Sequence, residues 1–242
     1  MKVAIHQPNF LPWIGYFYKM FLSDAFVILD DVPFSKSGYT KRVKILKDRH
    51  DDELIWLTVP VKKYHQHTLI NELETETDKE WWDKHKRHLQ QSYGHLPNYK
   101  RTIGLLDYAI SEAGSNKLSD INNSLISYIS NDLYINPQVL ISSAVELKEI
   151  DSEDVNIILL KSLEVEHYIS GKGGDSYQDE SEYEAHGIKK TYADIQLYLQ
   201  SPEGILANPL KVDISTSIFG WLACYSNAEI LTLFRQAEAA GF

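Results

Sequence analysis

The sequence predicts an α/β fold: a mixed, largely parallel sheet with flanking helices and a helical insertion at about residues 78–135. Three observations carry this. Two short apolar segments, residues 3–5 and 25–29, flank a helical pattern, as parallel strands joined by a crossover helix do. Strand and helix patterns alternate again from Val139 onward. Between these regions, three helical patterns follow one another without a strand.

Residues 3–5 favour extended backbone and end in His6. Residues 7–11 read as a turn, and Pro12 suits the first turn of a helix, where its missing donor is not needed. Trp13, Tyr16, Phe17, Met20 and Phe21 then keep the i, i+3, i+4, i+7, i+8 spacing of a buried helix face. The strand at 25–29 is apolar throughout, as a parallel strand buried on both faces is, and runs into Asp30-Asp31. Residues 40–46 and 54–61 form an antiparallel pair about the polar loop 47–52. Helices follow over 79–93, 102–112 and 118–133, the last with Leu118, Ile121, Leu125, Ile129 and Leu133 in period. Next come a strand over 139–147, a helix opened by Asp151 and buried through Val155, Ile158, Leu159 and Leu163, and a strand over 167–170. Gly171-Lys172-Gly173-Gly174 leads into a helix at 176–185, a strand at 188–195 and two closing helices after Asp213. With no repeat, low-complexity tract or clear linker, residues 1–242 read as a single domain.

The 24 Lys and Arg against 34 Asp and Glu leave a formal charge of −10, which opposes broad attraction to nucleic acid or anionic lipid. The basic exception is residues 36–49, with Lys36, Lys41, Arg42, Lys44, Lys47 and Arg49, which alone reads as a solvated strand face. The single cysteine, Cys224, forms no internal disulfide and sits among Trp221, Leu222 and Tyr225 as a packing residue. His6 interrupts the first apolar segment too early for a signal peptide, and no apolar run approaches the ~18 residues of a membrane span. A cytoplasmic protein without membrane insertion is expected.

His6 leaves the first strand at the edge where ligands gather in open parallel sheets, and an imidazole with pKa near ~6.5 exchanges a proton at neutral pH. The plainer alternative is a structural histidine holding the turn. Asp30 and Asp31 end the next strand, so a carboxylate there could orient His6 as a general base, or the pair could hold a divalent cation. A solvated Asp-Asp turn explains the same pattern. The glycine-rich turn at 171–174 lies between strand and helix, where amides cradle phosphate, although it matches neither the P-loop nor the Gly-x-Gly-x-x-Gly spacing. His85 and His88 share a helix face but lack Cys partners and a His-Glu-x-x-His motif, so an amphipathic helix explains them. No metal and no cofactor are predicted.

Several of these segments together resemble the WbqC-like protein family over nearly the whole chain. They are His6-Gln7-Pro8-Asn9 with Leu11-Pro12-Trp13 and Gly15, Asp24 with the strand to Asp30-Asp31-Val32, Phe34-Ser35, and Arg42. Thr58-Val59-Pro60-Val61, the helix at 82–93, and Ser170-Gly171 with Gly174 and Tyr177 continue the likeness. Ser217-Ile218-Phe219-Gly220 departs from it at Gly220, where an aspartate is expected. The resemblance implies bacterial surface-polysaccharide biosynthesis, that of O-antigen and lipopolysaccharide, with a nucleotide-linked sugar as substrate. The preferred reading is a transferase that moves an acyl or aminoacyl group to a nucleotide-linked amino sugar. His6, Asp30 and Asp31 are then catalytic, while Gln7, Asn9, Trp13, Arg42, Ser170, Gly171, Gly173, Gly174 and Tyr177 bind substrate, Arg42 and the Gly171 turn holding the diphosphate. The 15 Tyr and 5 Trp suit stacking on sugar or base. A non-catalytic nucleotide-sugar-binding or assembly protein and a metal-dependent hydrolase use the same residues differently. The expected partner is a small molecule and not nucleic acid. The sequence leaves open the sugar, the donor and the oligomeric state, a homo-oligomer included.

Overall fold

Short apolar strands with no polar face must be covered on both sides, and this requirement sets the centre of the molecule. The computed structural model describes residues 1–76, 80–171, 179–207 and 215–242. β1 (Lys2–His6), α1 (Ile14–Phe21) and β2 (Ala25–Ile28) make the first crossover, as the apolar periods require. A hairpin of β3 (Arg42–Asp48) and β4 (Asp51–Thr58) follows, then α2 (Glu80–Tyr93), α3 (Tyr99–Ser111) and α4 (Leu118–Asp132). β5 (Gln138–Ile141), α5 (Val155–Ser162), β6 (His167–Ser170), α6 (Glu180–Ala185) and β7 (Lys189–Tyr192) resume the alternation. Two short helices, α7 (Ile195–Gln200) and α8 (Pro202–Ala207), precede α9 (Ile218–Cys224) and α10 (Asn227–Ala239).

Five strands form one parallel sheet in the order β5-β2-β1-β6-β7. The α/β class holds, and the antiparallel part is a separate two-stranded sheet, the β3–β4 hairpin. The chain winds outward through β1, β2 and β5, then returns past β1 to lay down β6 and β7. Right-handed crossovers in opposite directions place their helices on opposite faces. Ala4, Phe26 and Ile28 accordingly pack into a core shared with α1, α4, α9 and α10. Val3, Ile5, Ala25 and Val27 face Ile157 and Leu160 of α5 and Tyr183 of α6.

Where boundaries differ from the sequence reading, a local hydrogen bond decides. β5 stops at Ile141 because Ser142–Ala144 turn into a 3-10 segment whose Ser143 amide donates to the Asp30 carboxylate at 3.1 Å. α5 is capped by Asp154, not Asp151, since the acid just before the first helical residue reaches the Asn156 amide at 2.8 Å. β7 ends at Tyr192 because Asp194 caps α7. The hairpin turn narrows to Arg49-His50, since β3 runs on to Asp48 through an irregularity after Leu46. α6 is described from Glu180, with Asp179 as its cap, and the earlier part of the predicted helix lies outside the described residues. The expected helices of the 78–135 region are present, and α2 fastens the hairpin: Leu46 donates its amide to Tyr93 Oη at 3.1 Å, and Ser92 Oγ donates to the Leu46 carbonyl at 2.6 Å.

Candidate functional site

The change of winding direction falls between β1 and β6. The β1–β2 ladder runs to the pair His6–Ile28 and the β6–β7 ladder to Ser170–Tyr192, whereas the β1–β6 ladder ends at Ala4–Ile169. The two central strands therefore part at their carboxyl ends, the position where open α/β sheets bind ligands. His6 forms one lip of this crevice, and Ser170 with Gly171 forms the other. Ser170 is buried and donates to the Gly171 carbonyl at 3.3 Å. Among the described residues, a Cβ on Gly171 would meet nothing within 4 Å. Gly173, Gly174 and Tyr177 lie outside the described residues.

The β1–α1 loop that carries His6 is held from several sides. Asn122 of α4, fully buried, donates from Nδ2 to the carbonyls of Pro8 at 2.8 Å and Thr40 at 2.7 Å. Phe10 donates its amide to the Tyr39 carbonyl, Ile218 donates to Pro12, and Trp13 makes a single bridge with Ser217. Asn9 is buried, and Gln7 Oε1 accepts from Thr40 Oγ1 at 3.5 Å. At Leu11 the backbone takes φ 42°, a left-handed conformation that costs a branched residue energy and that surrounding contacts must hold.

The His6 ring is half-buried against Trp13, at 5.4 Å between centroids, and Tyr16, at 4.8 Å. Its Nδ1 stands 3.2 Å from the Gln7 carbonyl. A carbonyl only accepts, so in the neutral ring Nδ1 carries the hydrogen and Nε2 keeps its lone pair. Burial, and after it the Lys19 ammonium, hold the imidazole well below its ordinary pKa despite the Gln7 carbonyl. His6 is therefore neutral at pH 7, with no protein partner for Nε2 among the described residues.

Lys19 was not singled out by the sequence reading. It lies inside the buried face of α1, 4 % exposed, donates to the Ile5 carbonyl at 2.8 Å, and stands 5.9 Å from the centroid of the Phe26 ring. Burial takes its pKa from 10.5 to about 7. A lone lysine between Tyr16 and Met20 was the available signal, since lysine is almost never buried without a partner. The Tyr16 hydroxyl is also buried, without a hydrogen-bond partner among the described residues, and burial keeps that phenol neutral.

Asp30 and Asp31 turn their carboxylates toward the β5 side. Asp30, buried, accepts from Ser142 Oγ at 3.1 Å, Ser143 N at 3.1 Å and Ser143 Oγ at 3.0 Å, and Asp31 accepts from Ser142 Oγ. Among the described residues neither carboxylate hydrogen-bonds His6. β5 neighbours β2 on the side away from β1, so these bonds fix the end of β2 to the start of the 3-10 turn. No group of three or more His, Cys, Asp or Glu suited to a metal is gathered among the described residues, and no described helix is long and apolar enough to cross a membrane.

Trp13 connects His6 to the hairpin. Its indole lies over Gly15, where a Cβ would stand 2.8 Å from Trp13 Nε1, and 5.6 Å from the Tyr39 ring. Tyr39 in turn contacts Trp56 of β4 at 5.7 Å, and the Arg42 guanidinium stacks on Trp56 at 4.2 Å while Nη2 donates to the Ser37 carbonyl at 2.7 Å. Tyr39 and Trp56 were not legible as a pair, because Tyr39 lies in the loop before β3 and meets Trp56 only when that loop packs on the hairpin.

An uncharacterized protein, Rv1507c, of Mycobacterium tuberculosis (strain ATCC 25618 / H37Rv) is 30% identical over 203 residues, covering 81% of this chain and 84% of that protein. No solved structure matches the chain. The WbqC-like protein family matches residues 7–205, and the chain belongs to that family.

Proposed function

We propose that this WbqC-like protein is a transferase of bacterial surface-polysaccharide assembly, moving an acyl or aminoacyl group to a nucleotide-linked amino sugar. The observation that carries the reading is His6, a neutral imidazole at the lip of the β1–β6 crevice whose Nε2 has no partner among the described residues. As the acceptor nitrogen or hydroxyl oxygen bonds to the acyl carbon, its proton passes to His6 Nε2. The donor's leaving group departs with the electron pair of the broken acyl bond and takes that proton back from His6. Gln7, Asn9, Trp13, Ser170 and Gly171 bind the substrate there, and Gly173, Gly174 and Tyr177 are assigned to substrate binding on the sequence alone. Asp30 and Asp31 are held by Ser142 and Ser143 on the β5 side of β2, and the proton is assigned to His6 alone.

A binding or assembly role without catalysis is favoured by one observation: among the described residues no carboxylate hydrogen-bonds His6, so none of them stabilises by a direct hydrogen bond the imidazolium that proton transfer creates. One experiment separates the two. Nucleotide-linked amino sugars are screened for a rise in Tm, and those that bind are incubated with acyl and aminoacyl donors and weighed by mass spectrometry. A product heavier by the transferred group establishes the transferase. Stabilisation without product from any donor selects the binding role, and no stabilisation by any nucleotide sugar removes both.

A further inference from the structure

Alternation along β3 and β4 divides the hairpin into two faces. Val43, Ile45 and Leu57 enter the core, while Arg42 and Lys44 of β3 and Trp56 of β4 point outward, with Lys44 directly opposite Trp56. On this outer side Trp56 is 39% exposed and neighbouring Tyr39 is 37% exposed. Two large rings left side by side in water, continuous through Trp13 with His6 at centroid steps of 5.7, 5.6 and 5.4 Å, form a row that ends at the proposed reaction centre.

The charge of the segment that carries this face is as uneven as its polarity. Residues 32–47 hold five cations and no acid in a chain whose formal charge is −10. Lys47 pairs with Glu53, but among the described residues Lys36, Lys41, Arg42 and Lys44 form no ion pair. They crowd one another instead: partial burial, then the Lys36 and Arg42 charges, hold the Lys41 ammonium below its ordinary pKa. Arg42 Nε is shut from water without an acceptor among the described residues, and the guanidinium and the Lys44 ammonium both lie over the Trp56 ring, at 4.2 and 5.3 Å. Exposed rings interleaved with unpaired cations suit a ligand that is aromatic at one point and anionic at the next. A neutral glycan would leave the cations unused, and a long nucleic acid would meet the negative remainder of the molecule.

We infer that the outer face of the β3–β4 hairpin docks the nucleoside diphosphate half of the substrate, its base on Trp56 and Tyr39, its phosphates against Arg42 and Lys44. The sugar then lies along Trp13, with its reacting group toward His6. This assignment rests on the nucleotide-sugar reading above, keeps Arg42 on the diphosphate and replaces the Gly171 turn by Lys44.

Uridine diphosphate is the probe, with adenosine and guanosine diphosphates in parallel because an aromatic platform tolerates any base. Inorganic pyrophosphate and a free amino sugar separate the parts of the ligand. Each is titrated against the whole protein while the tryptophan indole N–H signals are followed by NMR, and Kd is measured for wild type, Trp56→Leu and Arg42→Gln. The nucleotides should move the Trp56 indole. Trp56→Leu should weaken them about 5- to 100-fold, the range of one stacking partner, and leave pyrophosphate unchanged. Arg42→Gln should weaken nucleotide and pyrophosphate alike. Trp56 is exposed, so an unchanged Tm certifies the variant. Nucleotide binding of equal strength to Trp56→Leu, or signal changes confined to Gly171 and the crevice, overturns the docking face and leaves the proposed function standing. Movement of the same indoles by the free amino sugar, with nucleotides silent, overturns it as well, and failure of every nucleotide and nucleotide sugar to bind removes the function reading with it.

Discussion

Lys19 donates from its ammonium to the carbonyl of Ile5 at 2.8 Å, one residue before His6. A charge in the core with a single acceptor is costly, and the cost depends on pH. Lys19 in the fold has a pKa of about 7, below its ordinary 10.5, so between these values the unfolded chain binds more protons than the folded one. Stability therefore rises as pH climbs from about 7 toward 10.5, where the buried amine is neutral in both states. Lys19→Met keeps the reach and deletes the charge, leaving the Ile5 carbonyl unsatisfied at a roughly constant cost of ~1–3 kcal/mol. Urea unfolding should show the wild type gaining on the variant from pH 7 to pH 10, by on the order of a few kcal/mol. In the same variant the His6 pKa, read by NMR, should rise, because the second cause of its depression is gone. Parallel stability curves would mean that Lys19 is not buried as a charge.

Asp30→Asn tests the placement of the carboxylates. The amide retains one acceptor oxygen but turns a donor toward Ser142 and Ser143, at a cost of ~1–3 kcal/mol, or about 2–10 °C in Tm for a chain of this size. Nucleotide-sugar binding and turnover per folded molecule should be retained. Turnover lost at an unchanged Tm would instead give Asp30 a direct part in the chemistry.

What could be read in advance follows from the range of the forces involved. β1 and β2 were legible because an unbroken apolar run is a local sign of burial on both faces, and His6 was legible because it ends the first of them. The partners of Asp30 were not, since Ser142 lies 112 residues away and reaches it only through the β2–β5 pairing. Lys19 was hidden by a helical period that counts the apolar positions and passes over the lysine between them. Tyr39 and Trp56 each look like ordinary aromatics in sequence, and their row with Trp13 exists only after the loop, hairpin and helix have packed.

Gly15 makes room for Trp13. A Cβ there would meet Nε1 at 2.8 Å and Cδ1 at 3.1 Å, so Gly15→Ala should push the indole aside. The change lies in the first turn of α1, where alanine gains up to ~1 kcal/mol in helix preference, so Tm should move little. Ligand affinity should fall while the fold persists, with a displaced Trp13 indole signal in NMR. An unmoved signal would show that the backbone, not the indole, gives way, and the affinity loss should then be absent too.

Asn122→Ala removes the clamp that joins the His6 loop to the lead-in of β3. Two buried carbonyls, of Pro8 and Thr40, lose their donor, which at ~1–3 kcal/mol each predicts a loss of about 2–6 kcal/mol. Tm should drop by roughly 5–15 °C. Because the loop and the hairpin are freed from each other, affinity should fall further than in Asp30→Asn, whose bonds lie on the far side of β2. Equal affinities in the two variants, each measured well below its Tm, would detach the clamp from the site.

His6→Gln decides whether the crevice performs chemistry. Glutamine keeps a polar side chain of similar reach but has no titratable nitrogen, so binding should survive while turnover falls by ~10²- to 10⁴-fold, the usual contribution of general acid–base catalysis. The pH profile supplies a second criterion. With the folded pKa well below 6.5, wild-type activity in the free enzyme should stay flat through neutral pH and decline only on the acid side, as the imidazole is protonated. The same shift makes His6 a source of stability that is fully present above about 6.5 and is lost as pH falls toward its folded pKa. A structural histidine would give that stability trend without the activity limb. Retained turnover in a destabilised His6→Gln protein therefore ends the catalytic reading and leaves the crevice as a binding site.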